Sequence, residues 1–190
     1  QPAHRRRHPV QSGAGQVEVS YQVSDFTTLA ISAVGAGGQL GPNLDGTTSK
    51  YKRSRFYTTS PAFQFTEIAL DTSGGYSIFK DGELTGLRAY KFEVTQKFTT
   101  SVEAKASYTH LRSSQSLNGS YNQFYGWWKG RSSTVIGDEW NLITDWRPFA
   151  QFMVTAKAAI FLPGRGYRFL QDAEYGSAIR EYSLYVSQKF

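Results

Sequence analysis

The sequence predicts an all-β chain that folds as an antiparallel transmembrane β-barrel of about eight to nine strands, either complete or part of a larger barrel. Three observations support this fold class. Apolar and polar residues alternate with a period of two in segment after segment, as from Val17 to Val23 and from Tyr90 to Val94. Short turns alternate with long loops along the chain. Aromatic residues are abundant, with 12 Tyr, 13 Phe and 4 Trp, which is typical of the girdles at the two membrane interfaces.

The composition of the 190-residue chain fits one domain. Mean hydropathy is −0.44, and no apolar run approaches the roughly 18 residues that a membrane helix needs. A barrel strand alternates apolar lipid-facing residues with polar lumen-facing ones, so its mean hydropathy is low and the value found here agrees with a barrel. The chain has no cysteine, which excludes disulfides and thiolate metal sites.

The first 15 residues are rich in Pro, Gly, Arg and His and show no periodicity. Residues 1–15 are predicted to be a flexible basic tail or an external loop, and residues 16–190 to be barrel strands. The formal charge is +6, and Arg5, Arg6 and Arg7 of this tail supply part of it. No apolar h-region of a signal peptide is present. We therefore expect a mature product or a piece of something longer.

Four strands are predicted in the first part of the chain, at 17–24, 27–35, 50–59 and 62–70. Valines and Tyr21 share one face of the first strand, and Leu29, Ile31 and Ala33 share one face of the second. A Gly-rich loop at 35–46 follows the second strand. A tight turn at Ser60-Pro61 precedes the fourth strand, and the loop that follows it has Gly and Asp-Gly turn signals.

Five further strands are predicted at 87–98, 101–112, 137–147, 150–162 and 179–190. Here the alternation is clearest, because apolar residues such as Phe92, Trp140 and Val154 recur every second position. The short turns at 99–100 and 148–149 join strand pairs, whereas the segments at 112–136 and 163–177 are predicted to be long loops.

Nine is an unexpected count, because a secreted barrel normally has an even number of strands. Three explanations stay open. One predicted strand is not a strand, which leaves an eight-stranded barrel. The first strand is an inserted or edge segment. Alternatively, the chain is the C-terminal part of a larger barrel.

The last ten residues carry an apolar face that is in register with a terminal aromatic residue. Tyr182, Leu184, Val186 and Phe190 lie at alternate positions of this face. The pattern resembles the C-terminal signal of bacterial outer-membrane β-barrels, in which the closing strand ends in Phe. The resemblance implies a location in the bacterial outer membrane and contact with the barrel assembly machinery.

Residues 87–190 contain a second resemblance. The segments Ile136–Pro148 and Val154–Gly164, the latter ending Phe161-Leu162-Pro163-Gly164, look like the closing hairpin of the alginate-export family of outer-membrane porins. That family forms wide monomeric barrels with far more strands than this chain can supply. The resemblance implies a passive transport channel whose barrel is completed by more polypeptide, for example by another chain.

If the barrel is right, the polar strand faces point into its lumen. The candidate lumen-lining residues are Arg53, Arg55, Lys91, Glu93, Glu103, Lys105, Glu139, Asp145, Arg147, Lys157 and Glu181. In a wide barrel the six basic residues would attract anionic solutes, and the five acidic residues would reduce that preference. In an eight-stranded barrel the same residues would form cross-strand ion pairs that fill the interior.

No catalytic constellation, metal site or cofactor motif is predicted, and we do not expect an enzyme. The histidines are His4, His8 and His110, and no nucleophile or orienting acid can be assigned to His110. The predicted function is a channel for polar solutes, including anionic ones. The protein is expected to contact outer-membrane lipid and lipopolysaccharide, and no nucleic-acid partner is expected. The alternatives are a small closed structural barrel or a barrel component of a multi-chain envelope complex, and a soluble β-domain that binds a ligand.

Overall fold

A computed structural model describes residues 14–36, 65–70, 86–118, 132–171 and 176–188. These residues confirm the all-β prediction, because they form seven antiparallel strands in one sheet and one short helix. The elements are β1 (Ala14–Ser24), β2 (Thr27–Ala36), β3 (Leu87–Lys97), β4 (Val102–Asn118), β5 (Ser132–Phe149), β6 (Phe152–Pro163), α1 (Arg165–Gln171) and β7 (Ile179–Gln188). In the described ranges, no helix has the length and apolar character needed to cross a membrane.

The strand order in the sheet is the order in the chain. The connections β1–β2, β3–β4 and β5–β6 are short, and they lie together at one end of the sheet, which we call the turn end. The strand ends that the other three connections join lie at the opposite end of the sheet, which we call the loop end. Within the described residues the sheet is not closed, since β1 pairs with β2 alone and β7 with β6 alone.

Three predictions about elements differ from the structure. The predicted strand at 62–70 is wrong over residues 65–70, which form bends and a turn. Strands β4 and β5 extend well into the segment predicted as a loop at 112–136, because their ends pair as far as Asn118 and Ser132. This extension is polar and Ser-rich, so it lacks the apolar alternation that marks a strand. Helix α1 lies within the predicted loop at 163–177. The predicted strand at 50–59 lies outside the described residues.

A compact apolar core lies at the loop end, on one face of the sheet. Its largest fully buried apolar side chains are Ile68, Leu70, Leu87, Leu111, Ile136 and Phe161. Two of these residues come from the 65–70 segment, which therefore packs on the sheet. Helix α1 adds Tyr167, whose ring meets the Phe161 ring edge-on at a centroid distance of 5.4 Å. Burial raises the pKa of the Tyr167 phenol, so this group stays uncharged near neutral pH.

A glycine in β5 allows two strands and a ring to come close together in this core. An added Cβ at Gly137 would lie 2.6 Å from the Leu162 carbonyl oxygen and 2.6 Å from two atoms of the Phe161 ring. The β4–β5 register shifts beside this position, between Leu111 and Arg112. Residue 137 therefore has no room for a side chain while Phe161 fills the core.

Candidate functional site

The candidate site is one face of the sheet, on which the predicted lumen residues come together. Nine of the eleven lie within the described residues, and pairing between strands places eight of them on the same face. Arg147 follows Asp145 by two positions at the end of β5 and extends this set. We call this side the polar face. Arg53 and Arg55 lie outside the described residues, and whether the polar face borders a lumen stays a prediction.

Charges on the polar face are paired both along a strand and across neighbouring strands. The Glu93 carboxylate lies between two ammonium groups, at 3.5 Å from Lys91 Nζ and 3.6 Å from Lys105 Nζ. Near the turn end, the Thr155 hydroxyl donates a hydrogen bond of 2.5 Å to Asp145 Oδ1. The nine described candidates comprise four cations and five carboxylates. This part of the face is therefore close to neutral, and a preference for anions would depend on other residues.

Glu139 holds the 65–70 segment on the polar face through three backbone N–H groups. Its Oε1 accepts hydrogen bonds from the amides of Glu67 at 2.8 Å and Ile68 at 2.9 Å, and its Oε2 accepts one from Ala69 at 2.7 Å. The side chain has no exposed surface. Successive N–H groups of a strand point in opposite directions, so three of them reach one carboxylate only from a turn. This requirement explains why residues 65–70 are not a strand.

Two lysines of the predicted lumen set contact the same segment. Lys157 Nζ lies 2.7 Å from Glu67 Oε2, and Lys91 Nζ lies 4.9 Å from the centroid of the Phe65 ring. The segment also closes on itself, since the Phe65 amide donates to the Leu70 carbonyl at 3.0 Å. Three predicted lumen residues therefore anchor a stretch of chain. Sequence reasoning missed this role for Glu139 and Lys157, because their partners lie about 70 to 90 positions away in the chain.

The opposite side of the sheet, which we call the apolar face, carries the other half of each alternating pattern. Cross-strand pairing aligns Val19, Ile31, Phe92, Tyr108, Trp140 and Ile160 in one row of this face. The residues predicted as a C-terminal signal share this side, and Tyr182, Leu184 and Val186 are 74%, 69% and 60% exposed. Phe190 lies outside the described residues.

His110 lies on the apolar face in a small polar cluster. Its Nδ1 is 2.8 Å from Asp138 Oδ1, which also accepts a hydrogen bond of 2.6 Å from the Tyr108 hydroxyl. The structure thus supplies the acid that could not be assigned from sequence, while no Ser, Thr or Cys side chain in the described ranges bonds to His110. No group of three or more potential metal ligands gathers within those ranges either. The cluster offers a proton-sharing pair without a nucleophile.

Comparison with known proteins assigns no family to this geometry. No protein-family model matches the chain, and no curated protein is significantly similar to it. The resemblance of residues 87–190 to the alginate-export family therefore stays an expectation from the sequence.

Proposed function

We propose that this chain supplies strands of a bacterial outer-membrane β-barrel and acts in the passive passage of polar solutes. The observation that carries the proposal is the inverted burial of the sheet. On the apolar face, Ile31 is 65% exposed and Trp140 is 53% exposed, whereas Glu139 on the polar face is fully buried. A water-soluble sheet normally places its apolar side chains inside.

The extent of the exposed apolar surface supports a lipid environment. Large side chains on four further strands, β1, β3, β6 and β7, are also at least 43% exposed, and they include Val19, Tyr90, Phe92, Leu162 and Leu184. Soluble monomers rarely expose contiguous apolar patches larger than about 300–600 Å². Paired antiparallel strands satisfy each other's backbone hydrogen bonds, and lipid also requires that the outer edges of β1 and β7 find a partner strand. The strands have 10 to 18 residues, and about 9–11 suffice to span the hydrocarbon region.

The odd number of described strands indicates how such a barrel would close. In an antiparallel meander of seven strands, β1 and β7 run in the same direction. These two edges cannot pair with each other as antiparallel strands, so closure needs at least one additional strand between them. The extra strand would come from chain outside the described ranges or from another polypeptide. Both the eight-stranded barrel and the larger barrel that the alginate-export resemblance implies would meet this requirement.

The 65–70 segment favours a second candidate, which is a narrow or closed barrel with a structural role in a multi-chain envelope complex. The segment occupies the polar face where a wide pore would be open, and three of the predicted lumen residues hold it there. Conductance in planar bilayers separates the two candidates. A pore conducts ions steadily, whereas a barrel filled by its own chain conducts hardly at all.

Two neighbouring residues of β5 provide the test of membrane insertion. Leu142 lies on the apolar face and is 50% exposed, whereas Ile143 lies on the polar face between Lys105 and Lys157 in the pairing register. We expect Leu142→Glu to weaken insertion into lipid vesicles by about 2 kcal/mol. Ile143→Glu should insert as the wild type does, since two lysines flank the new carboxylate. A chain that stays monodisperse without detergent, with Leu142→Glu harmless, would support the soluble ligand-binding domain instead.

A further inference from the structure

Two arginines lie side by side on the apolar face at the loop end. Arg88 of β3 and Arg112 of β4 are direct cross-strand partners, and both side chains are exposed. Like charges at directly opposed positions repel each other. The guanidinium of Arg112 donates a hydrogen bond of 2.8 Å to the Thr134 hydroxyl. Among the described residues neither arginine forms an ion pair, so this pair of positive charges has no anionic partner in that part of the chain.

Among the residues that the structure describes, the carboxylate nearest to this pair in the strand register of the apolar face is that of Asp138, and it already has partners. Asp138 lies one row closer to the turn end, opposite His110. Its Oδ1 accepts a hydrogen bond from the Tyr108 hydroxyl and lies within hydrogen-bond distance of His110 Nδ1. The arginine row itself continues across the sheet through Gly35 and Gly15. The row therefore combines two cations with two positions that have no side chain.

The two glycines leave an open groove beside Arg88. Its volume is about 410 Å³. The residues that shape it on this face are Gly15, Val17, Ala33, Gly35, Arg88 and Tyr90. A Cβ at Gly15 would meet nothing within 4 Å, and one at Gly35 would meet only the Leu87 carbonyl oxygen at 3.9 Å. The groove is thus apolar along its length and cationic where it reaches Arg88.

We infer that this groove binds a membrane lipid that carries an anionic phosphate, with the phosphate at Arg88 and Arg112 and an acyl chain along the groove. The inference rests on the proposed function, because it requires the apolar face to meet lipid. The arginine row lies just beyond Tyr90, and aromatic residues mark the boundary between tails and headgroups. Arginine binds phosphate oxygens in a bidentate geometry, and basic residues at this depth attract anionic headgroups.

The first test compares lipid binding by two double variants of the full chain in a detergent micelle. Native mass spectrometry counts adducts of phosphatidylglycerol, with phosphatidylcholine as the neutral-headgroup reference. We expect Arg88→Gln/Arg112→Gln to weaken phosphatidylglycerol binding about tenfold or more and to leave phosphatidylcholine binding unchanged. The control Arg165→Gln/Arg180→Gln removes the same charge from α1 and β7 and should bind as the wild type does.

The second test fills the groove and keeps both arginines. Gly35→Leu should reduce binding of phosphatidylglycerol, and the space around Gly35 lets the folded sheet accept it. Inorganic phosphate, titrated at equal ionic strength, should not displace phosphatidylglycerol from the wild type, since it cannot use the groove. An inserted protein that keeps full phosphatidylglycerol binding in Arg88→Gln/Arg112→Gln, or in Gly35→Leu, overturns this inference alone. A chain that does not insert overturns the proposed function as well.

Discussion

Glu139 and Trp140 are consecutive residues of β5 with opposite surroundings. The carboxylate of Glu139 has no exposed surface and accepts hydrogen bonds from three backbone N–H groups. Trp140 is 53% exposed, although its ring lies 4.7 Å from the Tyr108 ring, measured between centroids. A buried carboxylate is stable only where its oxygens are fully hydrogen-bonded. Burial in this sheet therefore follows the face on which a residue lies, and the polar face is the one that the chain itself covers.

The largest expected effect tests the same contrast with one residue type. Phe161 is fully buried in the core, and Phe92 on the apolar face is 45% exposed. Phe161→Ala should lower the free energy of unfolding by about 3–5 kcal/mol, because it leaves a cavity among packed side chains. Phe92→Ala should lower the free energy of unfolding by less than about 1 kcal/mol in detergent, because a flexible detergent tail can fill the space that the ring leaves. Urea unfolding followed by tryptophan fluorescence measures both. Equal losses would mean that the apolar face is packed against protein.

Removing the Glu139 carboxylate should have the next largest effect. Glu139→Ala leaves the amides of residues 67–69 buried without an acceptor, which should cost about 3 kcal/mol of unfolding free energy. Glu103→Ala is the matched control, since Glu103 is on the same face at the turn end and is partly exposed. We expect a change within about 0.5 kcal/mol for that control. Limited proteolysis should cut near residues 65–70 in Glu139→Ala only. An uncut segment would contradict the anchoring role.

Glycines on the two faces give a third, smaller contrast. Gly137→Ala would place a methyl group 2.6 Å from the Phe161 ring and from the Leu162 carbonyl oxygen, so the neighbours must shift at a cost of about 1–3 kcal/mol. Gly35→Ala adds the same methyl group on the apolar face with no contact closer than 3.9 Å. Its effect should stay within about 0.5 kcal/mol. Thermal unfolding in the same detergent would show the difference, and two equal shifts would mean that β5 and β6 relax freely.

The sequence predicts most of the sheet because its signal is local. A strand such as β3 alternates apolar and polar residues within a few positions, and this alternation assigned the nine described candidates to one face. The polar ends of β4 and β5 lack that alternation, so their pairing beyond Arg112 could not be predicted. Closure of the sheet is also not encoded locally, since it depends on which strand meets β1 and β7.

The anchored segment escaped prediction for a different reason. Residues 62–70 alternate as a strand does, yet three backbone amides within this stretch converge on one distant carboxylate. A tertiary hydrogen-bond network overrides the local preference of such a short stretch. Glu139 looked like any other polar position of β5, because nothing in its neighbours reveals a partner about 70 residues away.

The smallest expected effect concerns the ion pair that ties the segment to β6. Lys157 Nζ lies 2.7 Å from Glu67 Oε2, and the two side chains are 24% and 12% exposed. Lys157→Met should lower the free energy of unfolding by about 1 kcal/mol, less than Glu139→Ala, because all three backbone amides keep their acceptor. Lys105→Met is the control, since its pair with Glu93 spans 3.6 Å and its side chain is 41% exposed. That change should stay within about 0.5 kcal/mol and vanish at high salt. If Lys157→Met instead destabilised the protein as much as Glu139→Ala, the ion pair would contribute as much as the carboxylate to holding the segment on the polar face.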